Sequence, residues 1–361
     1  MQKTKKRTKN EILKKVLITI ITIIILILII ELIFHFLFSG NIFNPPNTEQ
    51  EISTREYTYI AKTNNQGLRE EKEYNKNSNT FRIAFIGDSV VFGSGVESNK
   101  TFVKQLEKTL NNPETKSQKQ VINLAKSRYE VINIGKPGIG LPDYYEMEKE
   151  AIEKLDPDLI LIGFTVENDI INTQDPRTNQ FLKSLYKNSF IFRLVMGTYI
   201  NLKSSDETFE KYEGVDKSYI MNAIRYPEYY YDSITLESNE IKESFEKSKD
   251  YFIKINNYAK ENNKELIILL IPSSMQLTDT SYQFLQDIGY KITPELLDNT
   301  NIQDESISFF NTQSINYIDL HPPLKQTTKL LFFTTDLHFT EEGHQIVAEE
   351  IAKSLINTSF I

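Results

Sequence analysis

Five short apolar runs, spaced from residue 81 to residue 320 and separated by amphipathic stretches, most constrain what this sequence can fold into. They are FRIAFIG (81–87), YEVINIG (129–135), DLILIGF (158–164), ELIILLIP (265–272) and INYIDL (315–320). The runs are short and nearly continuous in hydrophobicity, as expected for strands buried on both faces. Between and after them, Thr101–Leu110, Tyr144–Leu155, Glu240–Asn262 and Glu341–Leu355 show helical spacing. Strands alternating with helices predict a three-layer α/β/α sandwich around a central parallel sheet of about five strands. With 361 residues, 40% of them hydrophobic, the chain is long enough to bury such a core.

A different pattern governs the amino terminus. Val16 to Phe38 reads VLITIITIIILILIIELIFHFLF, and roughly 20 apolar residues suffice to span the hydrocarbon core of a bilayer. The run is longer than the ~7–15 residues of a signal-peptide core, and no small-x-small cleavage site follows it. An uncleaved anchor over residues 16–38 is expected, with residues 1–15 as a basic cytoplasmic tail. That tail holds seven Lys or Arg and one Glu, a charge of +6, so the remainder of the chain carries −14 of the net −8. Positive flanks stay in the cytoplasm, which places everything after residue 39 outside it. Glu31 and His35 lie close enough to the outer end to reach headgroups. An acidic body is ill suited to neutralising phosphates, so no nucleic-acid partner is expected, nor docking on anionic lipid. With no cysteine and only four histidines, none at i,i+4 spacing, neither a metal site nor a cofactor is expected.

Residues 39–80, rich in Asn, Pro, Glu and Thr, predict a linker with a short structured lead-in around Tyr57–Leu68. Residues 171–239 break the strand–helix rhythm. This Asn- and Tyr-rich insertion contains one plausible helix near Leu182–Leu202, and a long insertion between strands reads either as a lid or binding loop or as an inert elaboration.

Chemistry-bearing residues fall at the carboxyl ends of the strands, where open parallel sheets gather their ligands. After 81–87 comes Gly87-Asp88-Ser89, which sets a serine at a strand tip beside a helix start whose N–H groups are unpaired. Ser94 competes as a nucleophile but lies further into the loop. A phosphate-binding loop would need a lysine after its last glycine, and GSG (93–95) has none. After 129–135 comes NIGKPGIG (133–140), where glycine lets a backbone N–H approach a ligand closely. After 158–164 comes TVENDI (165–170), in which Asn168 offers an uncharged NH₂ donor suited to an oxyanion that develops only during reaction. Asp169 reads as a helix cap. Finally TTDLHFTEEGHQI (334–346) places His338 two residues after Asp336 and just before a capped helix. Histidine suits a general base near neutrality, and a neighbouring carboxylate would orient it. His321 precedes two prolines, and His344 reads as a packing or capping residue.

In these four blocks and their order, over about Phe81 to Leu355, the sequence resembles the GDSL/SGNH hydrolase superfamily. The motif Asn64-Asn65-Gln66-Gly67-Leu68-Arg69 is similar to the lead-in of its bacterial members. The resemblance implies the flavodoxin-like SGNH sheet over residues 81–357, with Ser89 as nucleophile, His338 as base and Asp336 as its orienting partner. It further implies Ser89 N–H, Gly138 N–H and the Asn168 side chain as oxyanion donors. One spacing departs from the family: Asp336-Leu337-His338 stands where many members have Asp-x-x-His, an arrangement also found in extracytoplasmic acyltransferases that share this chemistry. The implied activity is hydrolysis of an acyl ester, with an O-acetylated envelope glycan as the suggested substrate class. One alternative is a membrane-anchored O-acyltransferase working with a polytopic membrane partner. Another is a binding protein that keeps the fold without the activity.

Overall fold

A computed structural model describes residues 2–38, 42–75, 80–113, 128–173 and 212–358, together with a few positions between 189 and 198. The chain divides into two compact units: residues 1–41 with 178–206, and residues 42–177 with 207–361.

In the first unit, helix α1 (Gln2–Phe38) runs for 37 residues. Its stretch Lys14–Ile33, 20 residues of mean hydropathy 3.3, is long and apolar enough to cross a membrane. Most of the helix expected near Leu182–Leu202 lies outside the described residues, although 191–192 and 194–196 are helical.

The second unit opens with an antiparallel hairpin, β1 (Glu49–Ser53) and β2 (Thr58–Lys62). Five parallel strands follow: β3 (Phe81–Gly87), β4 (Tyr129–Gly135), β5 (Leu159–Thr165), β6 (Glu265–Ile271) and β7 (Asn316–Asp319). They are ordered β4-β3-β5-β6-β7. Every pairing in this sheet is parallel. The chain adds β4 on one side of β3 and then moves to the other side for β5. The order therefore reverses beside β3, and a crevice opens there at the carboxyl ends of the strands.

Helices interleave with the strands: α2 (Ser89–Phe92), α3 (Phe102–Asn111), α4 (Leu141–Leu155), α5 (Asp169–Thr173), α6 (Lys217–Arg225), α7 (Tyr229–Thr235), α8 (Asn239–Glu261), α9 (Asn301–Gln313) and α10 (Glu341–Asn357). Alternate residues of the strands feed two separate cores. Ile83, Phe85, Leu159 and Leu161 join the α3 and α10 side chains Phe102, Leu106, Val347 and Ile351. Ala84, Ile86, Ile160 and Ile162 join Met147, Phe245, Phe252 and Phe310 from α4, α8 and α9 on the other face. A sheet covered on both faces has to be apolar on both, which accounts for the unbroken hydrophobicity of its strands.

The α4 helix begins at Leu141, earlier than the expected Tyr144, because Pro142 occupies a first-turn position where its missing N–H costs nothing. The lead-in is ordered from Glu49, ahead of the expected Tyr57. The insertion supplies α6 and α7.

Candidate active site

The serine is placed by close packing at the sheet's end. Helix α2 lies directly on the tips of β3 and β4. A Cβ added to Gly87 would come within 2.2 Å of Val91 Cγ2, and one at Gly135 within 2.1 Å of the Phe92 backbone nitrogen. Only glycine permits that approach. Asn133, buried inside β4, donates to Val91 O at 2.9 Å and pins the helix from below.

Asp88 caps α2. Its Oδ1 accepts from Val90 N at 2.9 Å and from Thr165 Oγ1 at 3.1 Å, and its Oδ2 accepts from Asn168 Nδ2 at 2.9 Å. Burial is the largest influence on this carboxyl and pushes its pKa up, against the pull of those same donors. Ser89 is the first residue of α2, so its own N–H has no partner within the helix.

The histidine arrives from the opposite end of the chain. After β7 the backbone makes an isolated bridge between Phe332 and Phe339. The His338 N–H donates to the Asp336 carbonyl, closing a three-residue turn that sets the two side chains against each other. His338 Nδ1 bonds Asp336 Oδ1, and His338 Nε2 lies 2.8 Å from Ser89 Oγ. With the Nδ1 proton directed at the carboxylate, Nε2 carries the lone pair that accepts the Ser89 hydroxyl; the tautomer is assigned from these bonds. Burial, the largest influence, would lower the His338 pKa. The charge and hydrogen bond of Asp336, with Asp88 and Glu167 beyond, overcome it and raise the pKa to about 9. Burial likewise pushes Asp336 up, but His338 and Tyr57 hold it below the ordinary carboxylate value.

Gly138 stands at φ +75°, a left-handed conformation that favours glycine, and a Cβ built there meets nothing within 4 Å. Its backbone therefore faces open space. Asn168 gives one amide hydrogen to Asp88 and retains a second. Its Oδ1 is buried with no partner among the described residues.

The structure thus brings Ser89, His338 and Asp336 into one hydrogen-bonded line. It links Asn168 to that line through Asp88. Ser94 is set apart beyond the left-handed cap Gly93, with its side chain paired to Tyr59. His344 accepts from Phe102 N at 3.1 Å through Nδ1, capping α3, and burial lowers its pKa to about 3. His321 starts a short helical turn at 321–325, and its pKa is lowered by burial. The His35 side chain lies outside the described residues. No cluster of potential metal ligands occurs among the described residues.

Sequence reasoning passed over Tyr57, Tyr219 and Glu167. The Tyr57 hydroxyl donates to Asp336 Oδ2, and the Tyr219 hydroxyl reaches Asp336 Oδ1 at 3.4 Å. Glu167 is buried beside Asn168 and accepts from Ser273 Oγ at 2.6 Å; burial raises its pKa to about 7. Glu167 sits inside the TVENDI block without itself being singled out, no motif marks Tyr57, and for Tyr219 the sequence offers only the tyrosine-rich character of the insertion.

Residues 229–361 match a family model described as SGNH hydrolase-like domain, acetyltransferase AlgX. No curated protein matches the sequence. Among solved structures, the chain is similar to a lipase/acylhydrolase from Enterococcus faecalis, at 12% identity and TM-score 0.39, covering 77% of this chain and 96% of that one. It is similar to a catalytic mutant of the acetylxylan esterase Axe2 from Geobacillus stearothermophilus, at 12% identity and TM-score 0.38, covering 78% and 96%. It is also similar to the esterase EstA from Pseudoalteromonas, at 9% identity and TM-score 0.40, covering 78% and 100%.

Proposed function

We propose that this chain, which is of the GDSL/SGNH superfamily, is a serine-nucleophile enzyme acting on an acyl ester. The observation that carries the reading is the line from Asp336 through His338 to Ser89, with Nε2 to Oγ at 2.8 Å. In the first step Ser89 Oγ attacks the ester carbonyl as His338 Nε2 takes its proton. Asp336 stabilises the imidazolium that forms. The tetrahedral oxyanion takes hydrogen bonds from Ser89 N–H, Gly138 N–H and the second amide hydrogen of Asn168. Such donors act at the moment charge develops, and each typically contributes about 10²–10³ in rate. His338 then returns the proton to the departing alcohol, leaving an acyl group on Ser89. Asp88 serves in this scheme as a positioning residue, since it holds the Asn168 amide and the start of α2 together.

Two fates of the acyl group are chemically equivalent: His338 activates either water or a sugar hydroxyl to attack it. Hydrolysis is the primary reading. Transfer is favoured by one observation, that the stretch containing Asp336 and His338 matches the model whose description names an acetyltransferase. In that case a polytopic membrane protein would supply the acyl group. In either case α1 anchors the chain in a membrane with its basic end in the cytoplasm, and the polar, Tyr-rich insertion suits an O-acetylated envelope glycan.

Product analysis tests the reading. Full-length protein in detergent, given an acetyl ester, is expected to release acetate with a burst of alcohol. Adding a glycan acceptor diverts acetyl to the glycan if transfer is the natural fate. No turnover of acetyl, butyryl or longer esters, with Ser89 unmodified, would refute the proposal.

A further inference from the structure

We infer that the β1–β2 hairpin is a working part of the catalytic apparatus, with Tyr57 from its tip and Tyr219 from the insertion acting as positioning residues for the Asp336 carboxylate. The inference rests on the serine-enzyme reading above and extends it to residues that no motif marks.

Three consecutive residues of the hairpin tip grip two distant segments, the insertion and residues 333–336. The turn is closed by Thr54 N–H to Tyr57 O at 2.9 Å. Arg55 reaches the insertion: its N–H donates to Gly214 O at 3.0 Å, and its Nε donates to Glu213 O. Glu56 takes the loop before the histidine. Its Oε1 accepts from Thr334 N at 2.8 Å, and its Oε2 accepts from Thr335 N at 2.6 Å and Thr335 Oγ1 at 2.7 Å. Tyr57 packs its ring on Phe333, centroids 4.7 Å apart, and directs its hydroxyl onto Asp336 Oδ2. The middle of the hairpin's second strand reaches the serine loop, where Ile60 N–H donates to Glu97 Oε1 at 3.0 Å. Behind it, the buried guanidinium of Arg69 donates to Val96 O at 2.9 Å and lies over the Phe92 ring at 4.5 Å.

The chemistry explains why such a clamp is needed. Asp336 is 4% exposed, and donors to a buried carboxylate favour its ionised form against the cost of burial. Its neighbour in sequence, His338, serves Oδ1. Tyr57 serves Oδ2, and Tyr219 approaches Oδ1, with its own carbonyl held by Tyr290 OH at 3.0 Å. The three-residue turn that brings Asp336 against His338 leaves the carboxylate free to rotate about its own side chain. The two phenols from distant segments remove that freedom. Each also shares the carboxylate's charge with the imidazole. The charged groups facing His338 are Asp336, Asp88 and Glu167, with His344 behind it.

The experiment uses full-length protein in detergent micelles, with Tyr57→Phe, Tyr219→Phe and the double variant, read in two ways. Ester turnover is expected to lose about tenfold in kcat for Tyr57→Phe, with KM within about twofold, the pattern of a lost orienting bond. The His338 ring is titrated by nitrogen NMR and assigned by its disappearance in His338→Gln. Its pKa is expected to rise in Tyr57→Phe and further in the double variant, because the carboxylate's charge is no longer shared. An unmoved or lowered His338 titration would overturn the inference, even with kcat reduced, since general loosening would cost rate without that upward shift. Ser89→Ala separates the two ideas. If it hydrolyses ester as well as the wild type, the serine-enzyme reading fails, and the titration still decides whether Tyr57 positions Asp336.

Discussion

Ser89→Ala is expected to reduce ester turnover by on the order of 10⁴–10⁶-fold in kcat, with KM little changed and the protein still folded. His338→Ala is expected to cause a loss of the same size, and the double variant to be no worse than either single one. The reason is that nucleophile and base act as one unit: without the base the hydroxyl is a weak nucleophile, and without the hydroxyl the base has nothing to activate. Residual turnover above the uncatalysed rate would come from the oxyanion donors and from binding. Ser94→Ala is the internal control. Because Ser94 pairs with Tyr59 rather than with a histidine, its removal should leave turnover within a few-fold. Losses from Ser89→Ala and His338→Ala that multiply in the double variant would indicate that the two residues do not act together.

The second large effect is expected at Asp336. Asp336→Asn should lower kcat by about 10⁴, since an amide facing Nδ1 favours the wrong tautomer of the imidazole. It should also move the pH profile in a defined direction. The neutral imidazole is the active form, so kcat/KM of the wild type rises as pH climbs through the His338 pKa. That pKa is raised to about 9 because the charge and hydrogen bond of Asp336, with Asp88 and Glu167, together outweigh burial, the largest single influence. The wild-type acid limb should therefore lie above 6.5, the ordinary value for histidine, and the enzyme should favour alkaline solution. With the charge removed, burial dominates and the limb should shift to lower pH. A limb that stays in place in Asp336→Asn would mean another group sets it.

The parts of this molecule legible in its sequence are those governed by local pattern. The runs 81–87 and 129–135 coincide with β3 and β4 because a strand buried on both faces is largely apolar, and each ends at a glycine that admits helix α2. The run at 158–164 lies one residue ahead of β5, within the ordinary uncertainty of strand ends. The hairpin was legible only from Tyr57 onward. The first strand, EQEIS, is almost wholly exposed, and in TYIAK only Tyr59 is fully buried, too little to impose a readable alternation. Ser89 and Asn168 could be singled out because each follows a strand end, and His338 with Asp336 because they precede a capped helix, whereas Gly138 came from the resemblance alone. The bonds that tie them together could not be singled out. Asp88 meets Asn168 across 80 residues, and Tyr57 meets Asp336 across 279. Nothing in either local sequence announces the partner, so only the assembled sheet order, with β3 between β4 and β5, reveals such contacts.

A serine made nucleophilic by a neighbouring histidine reacts with a fluorophosphonate, so the reagent reads the Ser89–His338 pair directly. Full-length protein treated with the reagent and digested for mass mapping should carry one phosphonyl group on the peptide containing Ser89. The label should be absent in Ser89→Ala and slow to form in His338→Ala. Labelling that persists in Ser89→Ala, or that settles on another residue of the wild type, would show that Ser89 is not the nucleophile.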